Sequence, residues 1–187
     1  MRGLTLWRPW PWTILHWPSG AATGVGPKRI ENRTKPPPSG IVGGEPIALH
    51  AGKVFDWEAV PFIRDRLGAH PAAAFMTRDA AYPRTDGSEP VRMVHPEGAI
   101  QGTARVTGWI HVEKGRVIGH VGVTPERAVE LARDPWFFGP FGWILDDVIP
   151  LERPLEHRGD RGLWTVKPPV AREVLAQTVG RAATCSR

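Results

Sequence analysis

The chain has 187 residues and a mass of 20.6 kDa, a length that predicts one domain with a real core. Its 21 glycines and 20 prolines are numerous but stay below the share that marks disorder. The single cysteine, Cys185, excludes a disulfide scaffold and fits a reducing compartment. No apolar run approaches the ~20 residues that span a bilayer. Arg8, Pro9 and Pro11 interrupt the apolar N-terminus, unlike a signal peptide, so a cytoplasmic location and no membrane partner are expected.

The formal charge of +5 is unevenly placed. Residues 1–40 hold Arg2, Arg8, Lys28, Arg29, Arg33 and Lys35 against Glu31 alone, so this stretch carries the whole excess. It also holds Trp7, Trp10, Trp12 and Trp17 of the nine tryptophans. Cations interleaved with aromatic rings suit a nucleic-acid or nucleotide partner, through phosphate attraction and base stacking. The competing reading is surface charge over a tryptophan-filled core.

In chain order, residues 3–7 read as a short strand. Trp12 to His16 reads as a helix that a proline opens and Pro18-Ser19-Gly20 stops. Residues 18–27 read as a loop, Lys28 to Arg33 as a polar strand, and the proline run at 35–40 as a surface loop. Residues 46–50 form the next strand, ended by Ala51-Gly52-Lys53. A helical stretch follows over Phe55–Ile63, with Asp56 near its start. Residues 77–96 carry turn signals at Tyr82-Pro83, Asp86-Gly87 and Glu89-Pro90 and read as an irregular insertion. Gly98 to Val112 fits a long, bent strand. Thr124-Pro125 opens a helix to about Arg133, and Phe141–Val148 is a strand continuing toward Pro154. Residues 162–166 form the last strand, 170–181 a terminal helix, and the remainder a tail. Early and late helices around short, turn-spaced strands predict an α+β fold: a small mixed β-barrel flanked by helices.

The chain lacks a phosphate-binding Gly-rich loop, a G-x-S-x-G elbow, H-E-x-x-H and C-x-x-C, and its histidines are scattered. No metal or cofactor is expected. Three segments could carry chemistry. In Lys28-Arg29-Ile30-Glu31-Asn32-Arg33, strand alternation puts Arg29, Glu31 and Arg33 on one side. Lys28, at the strand's start, can turn into the same cleft, and such a cluster can bind an anion, fix a base edge or transfer a proton. The same pattern also fits an exposed ion-pair strand. In Asp134–Trp143, Trp136 and Phe137 are candidates for a pocket wall or for a hydrophobic lid. In His50-Ala51-Gly52-Lys53, His50 and Lys53 lie at a strand end, where sites are common, although a buried structural histidine and a solvated lysine fit equally.

The strings LTLWRPW, KRIENR, PIALHAGK, GAIQGTARV, FGWILDDVIPL and GLWTV together resemble the ASCH domain, a PUA-like small β-barrel. The family's basic motif is approximately G-x-K-x-x-E-x-R, and Gly26, Lys28, Glu31 and Arg33 match it in register. The layout is most similar to bacterial and viral relatives of the endothelial-overexpressed, lipopolysaccharide-associated ASCH protein. The resemblance covers roughly residues 3–167, leaving 168–187 as a C-terminal helix and tail. It implies a cleft for RNA or a modified nucleobase or nucleoside. Lys28 and Arg33 would serve phosphate or carbonyl recognition and Glu31 would accept from a base amine, with Trp7, Trp10 and Trp136 as stacking or wall residues. It also implies an enzymatic alternative, because some ASCH proteins are amidohydrolases acting on N4-acetylcytidine and others are described as ribonucleases. The amidohydrolases resemble this chain at Lys28 but carry Thr where Glu31 stands. A hydrolase here would use Lys28 and Glu31, or Glu31 and His50 for metal-free RNA cleavage. A third reading is an interaction module with an apolar patch in 136–143.

Overall fold

The computed structural model describes residues 1–19, 21, 23–75, 81–82, 91–92 and 97–178. The chain opens with β1 (Arg2–Arg8), whose alternation sends Leu4 and Leu6 inward and Thr5 and Trp7 outward. A short helix follows, α1 (Trp10–Leu15), with Pro11 in its first turn where a missing N–H costs nothing. Then come β2 (Ile30–Arg33), β3 (Ile47–Phe55), α2 (Ala59–Leu67) and a 3₁₀ turn over Pro71–Phe75. The two-residue strands β4 (Ala81–Tyr82) and β5 (Val91–Arg92) pair antiparallel; the rest of the expected insertion lies outside the described residues. The chain continues through β6 (Ala99–Glu113), β7 (Arg116–Val121), α3 (Pro125–Leu131), β8 (Phe141–Glu156), β9 (Leu163–Thr165) and α4 (Pro168–Thr178). Among the described residues no helix is long and apolar enough to cross a membrane.

Seven strands make one mixed sheet in the order β2-β8-β6-β3-β1-β9, with β7 also on β6. Among the described residues only β1 and β3 run parallel; the other pairs are antiparallel. The long strands β6 and β8 shift register three times against each other, and such bulges bend a sheet. The bend is large. β2 and β1 stand four places apart in the sheet order, yet Arg33 of β2 donates from Nη2 to the carbonyl of Thr5 in β1 at 3.3 Å. The sheet is therefore a half-barrel whose open seam runs between β2 and the part of β1 that lies beyond its pairing with β9 over Arg2–Leu4. Leu4, Leu6, Ile47, Leu49, Val106, Trp143 and Leu145 fill its inside, closed at one end by Ile14 and Leu15 of α1. A second apolar cluster of Trp12, Val60, Ile63, Leu67 and Trp136 packs α2 beneath α1. The α+β class expected from the sequence holds, with four α-helices around the sheet among the described residues.

Several boundaries differ from the sequence reading by one to three residues, as at α1, β2 and α4, and the larger differences lie at β3, α2 and β7. β3 runs on to Phe55, because parallel pairing with β1 continues as far as Arg8↔Phe55. α2 consequently starts later, where Asp56 Oδ1 accepts from the N–H of Ala59 at 3.2 Å. β7 has no counterpart in that reading. Its hairpin turns at Lys114-Gly115, both at positive φ (49° and 75°), as two-residue hairpin turns of this hand require.

Gly102 shows how tightly α1 closes the barrel end. A Cβ there would lie 2.3 Å from a Leu15 methyl and 2.8 Å from the Ile149 carbonyl. Gly102→Ala is expected to cost about 1–3 kcal/mol by overpacking, read as a lowered urea midpoint at unchanged m value.

Candidate functional site: a polar cleft at the open seam

The unpaired seam between β1 and β2 is occupied by side chains rather than by backbone hydrogen bonds. Lys28, just before β2, is 1% exposed, and its Nζ lies 2.7 Å from Glu31 Oε2. The other carboxylate oxygen, Oε1, lies 3.1 Å from Arg33 Nε. That nitrogen is buried and not aligned to donate to it, so it forms an ion pair without a hydrogen bond. Glu31 is thus clamped between two cations. Lys28 also sits 5.5 Å from the ring centre of Trp10, and the Arg33 guanidinium lies 5.7 Å from that of Trp143. Burial pushes the Lys28 ammonium below the usual lysine range, while its attraction to Glu31 opposes the shift.

Two cavities open beside this chain of charges. A cleft of about 200 Å³ is lined by Thr5, Leu6, Trp7, Trp10, Glu31, Asn32 and Arg33. That is below the ~300 Å³ at which drug-sized sites begin, and it suits one flat ring. A groove of about 1260 Å³ adjoins it, sharing Thr5, Trp7 and Arg33 and extending over His50, Lys53, Glu97 and residues 156–162.

The sequence-derived candidates separate into three groups. Trp7, Trp10, Glu31 and Arg33 line the cleft. Trp7 is 58% exposed, and Trp10 is held by a 2.9 Å bond from its Nε1 to Asp56 Oδ2. His50 and Lys53 line the groove instead. Lys28, Trp136 and Phe137 line neither cavity. Lys28 stands behind Glu31 and reaches the cleft only through it. Trp136 is 2% exposed in the α2 cluster, its Nε1 donating to the Gly26 carbonyl at 2.9 Å. Phe137 packs with Ile30, Ile110 and Leu131. Arg29, expected beside Glu31, donates instead to the Ile14 carbonyl at the end of α1 (2.7 Å).

Sequence reasoning passed over the loop between β8 and β9, His157-Arg158-Gly159-Asp160-Arg161-Gly162, although its basic and glycine-rich composition was a signal. A directed network holds it. His50 Nε2 lies 2.9 Å from the His157 carbonyl, which can only accept, so Nε2 carries the proton. Nδ1 then accepts from the Thr5 hydroxyl at 3.2 Å, and Thr5 Oγ1 accepts from Trp164 Nε1 at 3.0 Å. His157 stacks on Trp164 with centroids 4.9 Å apart. Gly159 lies so close over this network that a Cβ would fall 2.4 Å from His50 Cε1. Burial, the largest cause, pushes the His50 imidazole below its ordinary value.

The fold and site define an α+β protein with an incompletely closed mixed sheet and a polar, aromatic-walled cleft at the seam. No family model matches the chain, and none of the curated proteins compared with it does. Among solved structures it is similar to the crystal structure of a ZmASCH mutant protein from Zymomonas mobilis. The likeness covers 95% of each chain at 11% identity with a TM-score of 0.42.

Glu31→Gln leaves the buried Lys28 without its counter-charge and is expected to destabilise the fold by about 3–5 kcal/mol, measured by urea unfolding. Because the folded state depresses the His50 pKa, the unfolded chain takes up that proton first as pH falls. Stability should therefore decline below about pH 6.5, and His50→Gln should reduce that decline. Burial also depresses His16, so the decline persists in part in the variant.

Proposed function

We propose that the protein binds a nucleobase, in RNA or in a modified nucleoside, within the seam cleft. The observation that carries this reading is the Glu31 carboxylate, clamped between Lys28 and Arg33 in a cleft walled by Trp7 and Trp10. A carboxylate accepts only and a guanidinium donates only. Side by side they match a base edge that presents an amine or imino N–H beside a carbonyl or ring nitrogen. The indole rings offer stacking faces, which serve any base. Lys28 acts on the ligand through Glu31, holding the carboxylate in place.

The clamp also supports binding over hydrolysis through Lys28. That amine points at Glu31 and does not line the cleft. Titration calorimetry with short single-stranded RNAs and a panel of nucleosides, including N4-acetylcytidine, tests the reading. Trp10→Ala is expected to weaken binding about 5- to 100-fold through lost stacking. Arg33→Lys, which keeps the positive charge beside Glu31, should weaken it about 10-fold. No binding to any probe in the panel would refute the proposal. N4-acetylcytidine should be recovered unchanged by chromatography, and release of cytidine would refute a role limited to binding.

A further inference from the structure

Five of the six cations that lend the N-terminal forty residues their charge are occupied within the fold; Lys35 is the exception. Arg2 donates to Thr165 and Leu163, Arg8 to the Gly52 and Lys53 carbonyls and to Glu97, and Arg29 to Ile14. Lys28 and Arg33 are held on Glu31. The large groove differs. Lys53, Arg158 and Arg161 border it, all three are exposed, and none of their side chains has an ion-pair or hydrogen-bond partner among the described residues. Three carboxylates border the same groove: Glu97, which Arg8 holds at 2.8 Å, Glu156, and Asp160, whose Oδ1 accepts from the Arg161 N–H at 2.7 Å.

We propose that this groove is a ribose-phosphate track, so that the ligand of the seam cleft is one base of a single-stranded RNA segment rather than a free nucleoside. The proposal rests on the base-binding reading of the cleft and names the polymer that delivers the base. Three observations carry it. The groove and the cleft meet at Thr5, Trp7 and Arg33, so a base in the cleft places its sugar at the groove's mouth. The uncommitted cations match phosphate oxygens, whereas Glu156 and Asp160 only accept and match the hydroxyl donors of ribose, the 2′-OH among them. A groove of mixed sign therefore suits a chain that alternates phosphate with ribose better than it suits a bare polyanion.

The third observation is rigidity. The loop that presents Arg158 and Arg161 is pinned by the His157 carbonyl on His50, the Gly162 carbonyl on the Thr5 N–H, the His157 N–H on the Gly98 carbonyl, and the His157–Trp164 stack. Gly159 allows that close seating, since any side chain there would collide with His50 and Thr5. Presenting long cationic side chains from a fixed backbone lowers the ordering cost of binding.

The test uses fluorescence anisotropy of labelled eight-nucleotide single strands, as RNA and as DNA of the same sequences, between 50 and 300 mM salt. Three phosphate contacts at about 0.7 each predict a log–log salt slope near −2 for RNA. Arg158→Ala and Arg161→Ala should each lower its magnitude by about 0.7, and Glu156→Gln should leave it unreduced. RNA should bind at least several-fold tighter than DNA, and Asp160→Asn should narrow that gap. Gly159→Ala should weaken octamer binding while nucleoside binding by calorimetry is unchanged. A slope near zero, or one unchanged in the Lys53→Ala/Arg158→Ala/Arg161→Ala triple variant, overturns the track. Equal affinity for RNA and DNA overturns its ribose component. If Trp10→Ala and Arg33→Lys weaken binding while the triple variant does not, the base cleft stands and the track fails. If only the triple variant weakens binding, the track stands and the cleft reading fails.

Discussion

The half-barrel is held by a carboxylate placed where the sheet does not close. β1 and β2 curl toward each other without pairing, and backbone left facing such a gap needs another partner. Arg33 supplies one for the Thr5 carbonyl, and Glu31 in turn fixes Arg33 and Lys28. The order matters energetically. A buried ammonium is expensive alone and tolerable beside a counter-charge, and the same counter-charge anchors the guanidinium that crosses the seam. The clamp therefore serves the fold and the site together. It leaves a carboxylate and a guanidinium side by side in the wall of the cleft, already oriented.

The cleft follows from incomplete closure. In a fully paired barrel, β1 and β2 would zip together and no room would remain for Trp7 and Trp10 to border a cavity. Here the register shifts between β6 and β8 bend the sheet far enough for side chains to meet and not far enough for backbones to pair. On the other side of β1, the Trp164–Thr5–His50 network does comparable work for the groove. It converts the turn between β8 and β9 into a fixed rim. Thr5 belongs to both arrangements, its carbonyl facing the seam and its hydroxyl the network.

Much of the fold was legible because its signals are local. Alternation in β1, proline at the start of α1, the Thr124-Pro125 cap of α3 and the long run of β6 depend on neighbours in sequence. The misplacements have non-local causes. β3 extends to Phe55 because β1 lies beside it, and β7 forms because β6 offers an edge. The site divides in the same way. Lys28, Glu31 and Arg33 were readable as a cluster because they are close in sequence. Which of them faces the cleft was not readable, because Lys28 precedes the strand and turns behind Glu31. Trp136 and Phe137 looked like walls from composition; packing against α2 made Trp136 core, and Phe137 lies half-buried against Ile30, Ile110 and Leu131.

The amino-acid sequence by itself determined the α+β class, the charged string before and within β2, and the concentration of tryptophan near it, since each follows from residue type and spacing along the chain. Only the tertiary structure decided which charges are available to a ligand. Charges in the first forty residues look like a surface patch when counted, yet the fold spends most of them on carbonyls and on Glu31. Lys53, Arg158 and Arg161, scattered through a stretch that is neutral overall, become neighbours of one groove. A charge is neutralised by what surrounds it in space, and sequence distance does not fix that.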